Sequence, residues 1–333
     1  MSTPAVGPLR GDDKPVVVVG SNEEYREAVN FSSTGNKSIG GFQALGLLDG
    51  ANGRLHAIPA GGNDDPLGMG NPAGPELPGW PVRIGIVATE LLPWIEGVPG
   101  SPVLADVDGD GQLEVGIFGV VGPAYVLRAD GTSFYGTGAD GLPLTLPTDG
   151  AAFGPGTTST DAPSIPGLGG GSFAPIGPGG ALVYVAPGAG LGRLADTNVP
   201  AQQLPHDNQL VAWNARTGEF LPAFPRLLDD VVFFGSAAIA DVSGDDQAEM
   251  VIGSGGYLVH AMDATGAEAP GWPKFTGGWI IATPAVGRIG NRPVVAVPTR
   301  EGSLWIWRAR ISADASFWPQ ARHDATNRGL FVP

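Results

Sequence analysis

GSPVLADVDGDGQLEVGIFG, residues 100–119, is the stretch on which the fold turns. A small-residue apolar run, Pro102 to Ala105, leads into Asp106, Asp108 and Asp110, and Gly111 follows them. A second run, with Leu113, Val115, Ile117 and Phe118, leads out past Glu114. Two apolar runs either side of a polar turn read as paired strands in a hairpin. The same register recurs as TPAVGPLRGDDKPVVVVGS (3–21), SFAPIGPGGALVYVAPG (172–188), GSAAIADVSGDDQAEMVIGSG (235–255) and ATPAVGRIGNRPVVAVPTREGS (282–303).

A third element follows each hairpin: GRLHAI (53–58), AYVLRADG (124–131), QLVAWNARTG (209–218), YLVHAMDATG (257–266) and SLWIWRA (303–309). Apolar residues alternate there, and in three of the five an Asp or Asn and a Gly come next, as in a half-buried strand entering a turn. A fourth element is an aromatic–proline pair at 80–81, 224–225, 272–273 and 318–319, and the last three prolines recur about every 47 residues. Proline has no ladder donor, so these pairs are expected on outer edge strands, the aromatic packing on the neighbouring unit.

Four strands per unit at this period predict an all-β chain of β-propeller blades, each a four-stranded antiparallel sheet. Five units are visible, at 1–86, 98–147, 170–228, 233–277 and 279–325, with a closing tail at 318–333; together they read as one domain. Asn22 to Ala28 is the one short helical stretch expected. Loops at 59–76, 145–167 and 187–208 are expected to carry recognition.

The acidic turn has the spacing of a cation loop. Calcium takes six to eight oxygens in irregular geometry. Asp106, Asp108 and Asp110 occupy loop positions 1, 3 and 5, the Gln112 carbonyl position 7 and Glu114 position 9. Gly111 at position 6 supplies the backbone freedom to turn over the ion. The fourth unit offers a weaker version in Asp241, Ser243, Asp245, Gln247 and Glu249, with Asp246 in place of the glycine. The other three units make the same connection without acidic spacing.

This pattern, Pro-x-x-Ala-Asp-x-Asp-x-Asp-Gly-x-x-Glu before an apolar strand, resembles the FG-GAP repeat of integrin alpha-like propellers and many bacterial surface proteins. WPQARHDATNRG (318–329) resembles the tail that closes bacterial members of that group. The resemblance implies bound Ca²⁺, an extracellular, cell-surface or periplasmic setting, and a propeller of about seven blades; with five units visible, five to seven blades are expected in the intact propeller.

Composition narrows the function. The 333 residues include 54 glycines and 32 prolines, yet 42% are hydrophobic and 15% charged, which suits many short strands and turns better than disorder. A net charge of −15 disfavours nucleic acid and favours divalent cations. The absence of cysteine removes disulfides and thiolate chemistry. No secretory h-region and no eighteen-residue apolar window is present, so membrane insertion is not expected.

Arg10-Gly11-Asp12 spells an adhesion tripeptide, but in a turn that other units fill differently. QLVAWNARTGEF (209–220) resembles a repeat of quinone-dependent dehydrogenases, without their adjacent cysteine pair. His56, His206, His260 and His323 are scattered and read as structural or surface residues. Neither HExxH nor GxSxG occurs. Most tryptophans stand at matching repeat positions and read as packing between blades, Trp94 and Trp279 being the ones expected near the surface. The expectation is therefore a calcium-stabilised, non-enzymatic binding, adhesion or assembly module that meets a protein or glycan partner through its long loops. The alternatives are a lyase-like, polysaccharide-active enzyme on the same fold, or a structural subunit that forms homo-oligomers or joins further upstream blades.

Overall fold

The computed structural model describes residues 2–23, 52–59, 76–84, 98, 100–118, 124–138, 144–146, 169–188, 208–310 and 315–332. The helical stretch expected at 22–28 falls largely outside them, and its first two residues extend a strand instead.

Among the described residues the strands of each sheet pair antiparallel, and apart from one strand added to the fourth sheet by the tail each sheet runs as a meander. The first contains β1 (Ala5–Gly7), β2 (Val16–Glu23), β3 (Asn52–Pro59) and β4 (Val82–Ile84). The second contains β5 (Val103–Ala105), β6 (Glu114–Phe118) and β7 (Ala124–Leu127), and a lone bridge from Ala124 to Leu146 stands where its outer strand is expected. The third contains β8 (Ser172–Ala174), β9 (Val183–Gly188), β10 (Gln209–Asn214) and β11 (Arg226–Leu227). The fourth contains β12 (Ala238–Ala240), β13 (Glu249–Gly253), β14 (Leu258–Met262) and β15 (Lys274–Phe275). The fifth has β16 (Ala285–Ile289), β17 (Arg292–Pro298) and β18 (Leu304–Arg308).

The hairpin register repeats. Leu104 faces Val115, Ile239 faces Met250 and Val286 faces Val295. Along each second strand, alternate side chains point to the preceding and to the following sheet. One buried cluster joins the first two sheets, another the second, third and fourth, and a third the fourth and fifth. The sheets thus stack in chain order, each buried on a neighbour.

Polar contacts stitch these junctions near the start of each unit. Thr3 N–H donates to Ser101 Oγ (3.2 Å), Ser172 Oγ to the Ala237 carbonyl (2.7 Å) and Ser236 N–H to Thr283 Oγ1 (2.8 Å). On the outer side, Trp80 Nε1 donates to the Ala129 carbonyl (2.9 Å), and Trp272 meets Trp307 of the next sheet edge-on. The expected role of the aromatic before the proline therefore holds at Trp80 and Trp272. The Trp80–Pro81, Phe224–Pro225 and Trp272–Pro273 bonds are all cis.

The last aromatic–proline pair departs from expectation. Ser316–Trp318 forms β19, which pairs with β12 of the fourth sheet and not with β18. Trp318 is fully buried there, so the whole ring leaves water. The tail then runs along the first strands of the other sheets. Pro319 accepts from Val286 N–H (2.6 Å), Arg328 from Val6 N–H (2.8 Å), and Leu330 makes a parallel bridge to Leu104. Arg322, buried, donates to the carbonyls of Pro102 (2.6 Å) and Pro4. Burial lowers its pKa to about 10, so it stays charged at neutral pH.

Candidate metal centre

The β5–β6 and β12–β13 turns have one hydrogen-bond framework. Asp106 Oδ1 accepts from Gly109 N–H (2.6 Å) and Oδ2 from Gly111 N–H (3.0 Å). Asp241 does the same for Gly244 (2.6 Å) and Asp246 (3.1 Å). At loop position 9, Glu114 Oε2 accepts from Val107 N–H (2.8 Å) and Glu249 Oε2 from Val242 N–H (2.7 Å). Backbone amides thus aim the first and last carboxylates at a common point.

The turn requires positive φ at positions 4 and 6. Gly109 and Gly111 have φ of 82° and 87°, Gly244 and Asp246 of 84° and 65°. The sequence pointed to position 6, and Asp246 adopts the left-handed geometry expected of it. Position 4 was legible only as a second glycine shared by both loops.

One carboxylate oxygen each from Asp106, Asp108 and Glu114 lie within 4.8 Å of one another, as do those of Asp241, Asp245 and Glu249. Asp110 is not in the first group: its oxygens accept from Gln112 N–H (2.8 Å) and Nε2 (3.1 Å). Gln247 N–H makes the matching bond to Asp245 (3.0 Å). Arg128 reaches toward Asp108 at 3.5 Å and also covers the Phe134 ring.

The electrostatics fit an oxygen-seeking cation. Glu114 is 1% exposed, and burial first, then the charges of Asp108 and Asp110, push its pKa up to about 7 against the Val107 hydrogen bond. Glu249 is raised for the same reasons, burial first, with Asp241 and Asp245 adding to it. Ser243 lies close enough to oppose that rise, yet its buried hydroxyl makes no hydrogen bond of good geometry. A divalent cation would hold these groups ionised and give that hydroxyl a partner. Oxygen donors with neither nitrogen nor sulfur suit a hard ion.

The described histidines read as structural from sequence, and the structure adds their partners. His56 Nδ1 meets Glu76, and His260, at the same repeat position, meets Glu268 through Nδ1 and Asp229 through Nε2 (2.8 Å). Neither glutamate stood out in the sequence. The signal available was the Asp263–Gly266 turn, whose register bridges Met262 to Glu268 and so returns position 268 beside β14. Ser254 Oγ donates to Asp229 (2.9 Å) and not to His260, so the group lacks the serine–histidine contact of an activated nucleophile.

Trp279 is half-buried beneath Arg300 and edge-on to Phe233. His206 and Trp94 lie outside the described residues, as does most of the loops at 59–76, 145–167 and 187–208. Among the described residues no helix is long and apolar enough to cross a membrane.

No family model matches the chain, and no curated protein matches it. Among solved structures it is similar to BamB from Moraxella catarrhalis, at 12% identity over 89% of this chain and 70% of that one, TM-score 0.41. It is also similar to the biofilm matrix protein Bap1 of V. cholerae, at 12% identity over 100% and 74%, TM-score 0.40. A third is the C-terminal domain of PilY1 from Pseudomonas aeruginosa, at 14% identity over 95% and 59%, TM-score 0.34.

Proposed function

We propose that the chain is a calcium-stabilised β-propeller of the FG-GAP type that serves as a non-enzymatic binding or assembly module outside the cytoplasm. One observation carries the metal part: two separate turns build the same amide framework and each converges three carboxylates. Meanders stacked in chain order, stitched at their first strands, support the propeller architecture. In the first loop Asp106, Asp108 and Glu114 would hold the ion, with Asp110 and the Gln112 carbonyl as the further oxygens the loop offers. In the second, Asp241, Asp245 and Glu249 hold it beside Ser243 and Gln247. Loops at millimolar extracellular calcium need no high affinity, which fits sites this short.

The reading predicts a thermal-unfolding midpoint that rises with calcium and falls in chelator, because the ion binds the native state alone. Asp108→Ala should remove most of that rise. An unchanged wild-type midpoint in excess calcium would reduce Asp106 to Glu114 to an acidic turn.

A further inference from the structure

His260, buried on β14, has a carboxylate on each ring nitrogen: Glu268 at Nδ1 and Asp229 at Nε2 (2.8 Å). A neutral imidazole carries a single N–H, so it can donate to one carboxylate and turns a bare lone pair on the other. The imidazolium donates to both. Each carboxylate is also held from behind. Glu268 Oε2 accepts from Ala261 N–H (3.1 Å), Asp229 accepts from Ser254 Oγ (2.9 Å), and Ser254 Oγ in turn accepts from Gly256 N–H (3.2 Å). A Cβ on Gly256 would meet Asp229 Oδ2 at 1.8 Å, so this carboxylate is seated on bare backbone.

The fold does not call for a histidine here. By register the second, third and fifth sheets carry Tyr125, Val211 and Trp305 at this position. Nor do the two carboxylates stand on equally firm backbone. Glu268 belongs to the fourth sheet's own hairpin, bridged to Met262, with Ala269 N–H on the Ala261 carbonyl (2.8 Å). Asp229 belongs to the linker between β11 and β12. That linker reaches the β13–β14 turn through Asp229 and through Gly255 N–H on the Val231 carbonyl (2.9 Å). It also carries Phe233, edge-on to Trp279, and Phe234, 58% exposed.

We infer that His260 is a pH-operated latch: as an imidazolium it holds the Asp229 linker on the fourth sheet, and as a neutral ring it releases that linker while keeping Glu268. Burial alone would lower its pKa, but the hydrogen bonds to Glu268 and Asp229, and the charges of both, raise it above the ordinary 6.5. Among the described residues, the other charged groups on the elements packed around it are engaged elsewhere. Asp230 accepts from Val231 N–H (2.7 Å) and Asp263 from Thr265 N–H (2.8 Å). Glu249 of β13 faces the acidic loop, Lys274 of β15 lies over the Trp272 ring, and Arg226 of β11 lies along Gly266. A group whose pKa folding raises contributes in full below its unfolded value, and the contribution is lost as pH climbs through the folded one. The latch is therefore shut in acid and opens above the raised value. It involves neither acidic loop.

Imidazole NMR with amide exchange tests this, in excess calcium and again in chelator so that the loops do not decide the outcome. His260 should titrate above 6.5, its resonance assigned by its loss in His260→Gln. In wild type the protection of Gly255 N–H should fall about tenfold between about pH 6 and about pH 9, the factor that one unit of pKa shift supplies, while Ala269 N–H keeps its protection. In His260→Gln the step should vanish, because the amide has no proton to lose. Should that variant lose its native circular dichroism, Asp229→Asn takes its place, and it should lower the His260 pKa and shrink the step. A His260 that titrates at 6.5 or below overturns the inference. So does Gly255 protection that stays level in wild type or falls equally in His260→Gln.

Discussion

Glu114 concentrates the chemistry of the first loop. Its carboxyl is buried and raised to about 7, against an ordinary value near 4.5 in the unfolded chain. A carboxyl raised by folding favours the native state at low pH, and that contribution is lost as pH climbs from the unfolded value through the folded one. In metal-free protein, the stability difference between wild type and Glu114→Gln should therefore move against wild type between about pH 4.5 and 7, by about 3 kcal/mol in all. Calcium takes the ionised form, so its stabilisation should be larger at pH 8 than at pH 5.5. Chemical unfolding of both proteins at several pH values, with and without calcium, checks both signs.

Arg322 is the other decisive side chain. It bonds two carbonyls immediately before the first strands of neighbouring units, and a Cβ on Gly329 would meet its guanidinium at 2.3 Å. Arg322→Ala strands both carbonyls and should cost about 3 kcal/mol in urea unfolding.

The five hairpins show which parts of an element sequence conveys. The first two strands and the third strand were legible from alternation and from Asx–Gly turns. Asp130, Asn214 and Asp263 indeed take the N–H two residues on, with Gly131, Gly218 and Gly266 at positive φ. The carboxylate spacing likewise pointed to both converging groups. What did not show was Asp110's turn toward Gln112, because residue spacing fixes a loop position but not a rotamer. Nor did the His260–Glu268 contact show, since it depends on hairpin register more than on any motif.

The two loops also differ in a way that can be tested. Position 3 is Asp108 in one and Ser243 in the other, on nearly the same framework. Ser243→Asp should raise calcium affinity at the second loop by roughly tenfold, as ligand charge sets affinity in such sites. Titration calorimetry in an Asp108→Ala background isolates that loop.

At the scale of the molecule, the fifth unit and the tail depart most from local pattern. Phe317-Trp318-Pro319 has the composition of an outer edge, yet burial of Trp318 beside Ile239 draws it inward. Composition could not distinguish the two destinations, because both are strands beside an aromatic-lined sheet. Ending the chain after Arg310 should leave the sheets formed but speed amide exchange at Val6, Asp241 and Val286, whose N–H groups donate to tail carbonyls. Hydrogen-exchange mass spectrometry would read this directly, and unchanged protection would mean that the sheets hold their first strands unaided.

That tail follows all five sheets in order of synthesis. Each sheet can form its local hairpins as it leaves the ribosome, but the backbone partners of Val6 and Leu104 lie more than two hundred residues downstream. The earliest sheets therefore wait longest for their last hydrogen bonds, and a chain released after Arg310 holds the hairpins of every sheet but no lock.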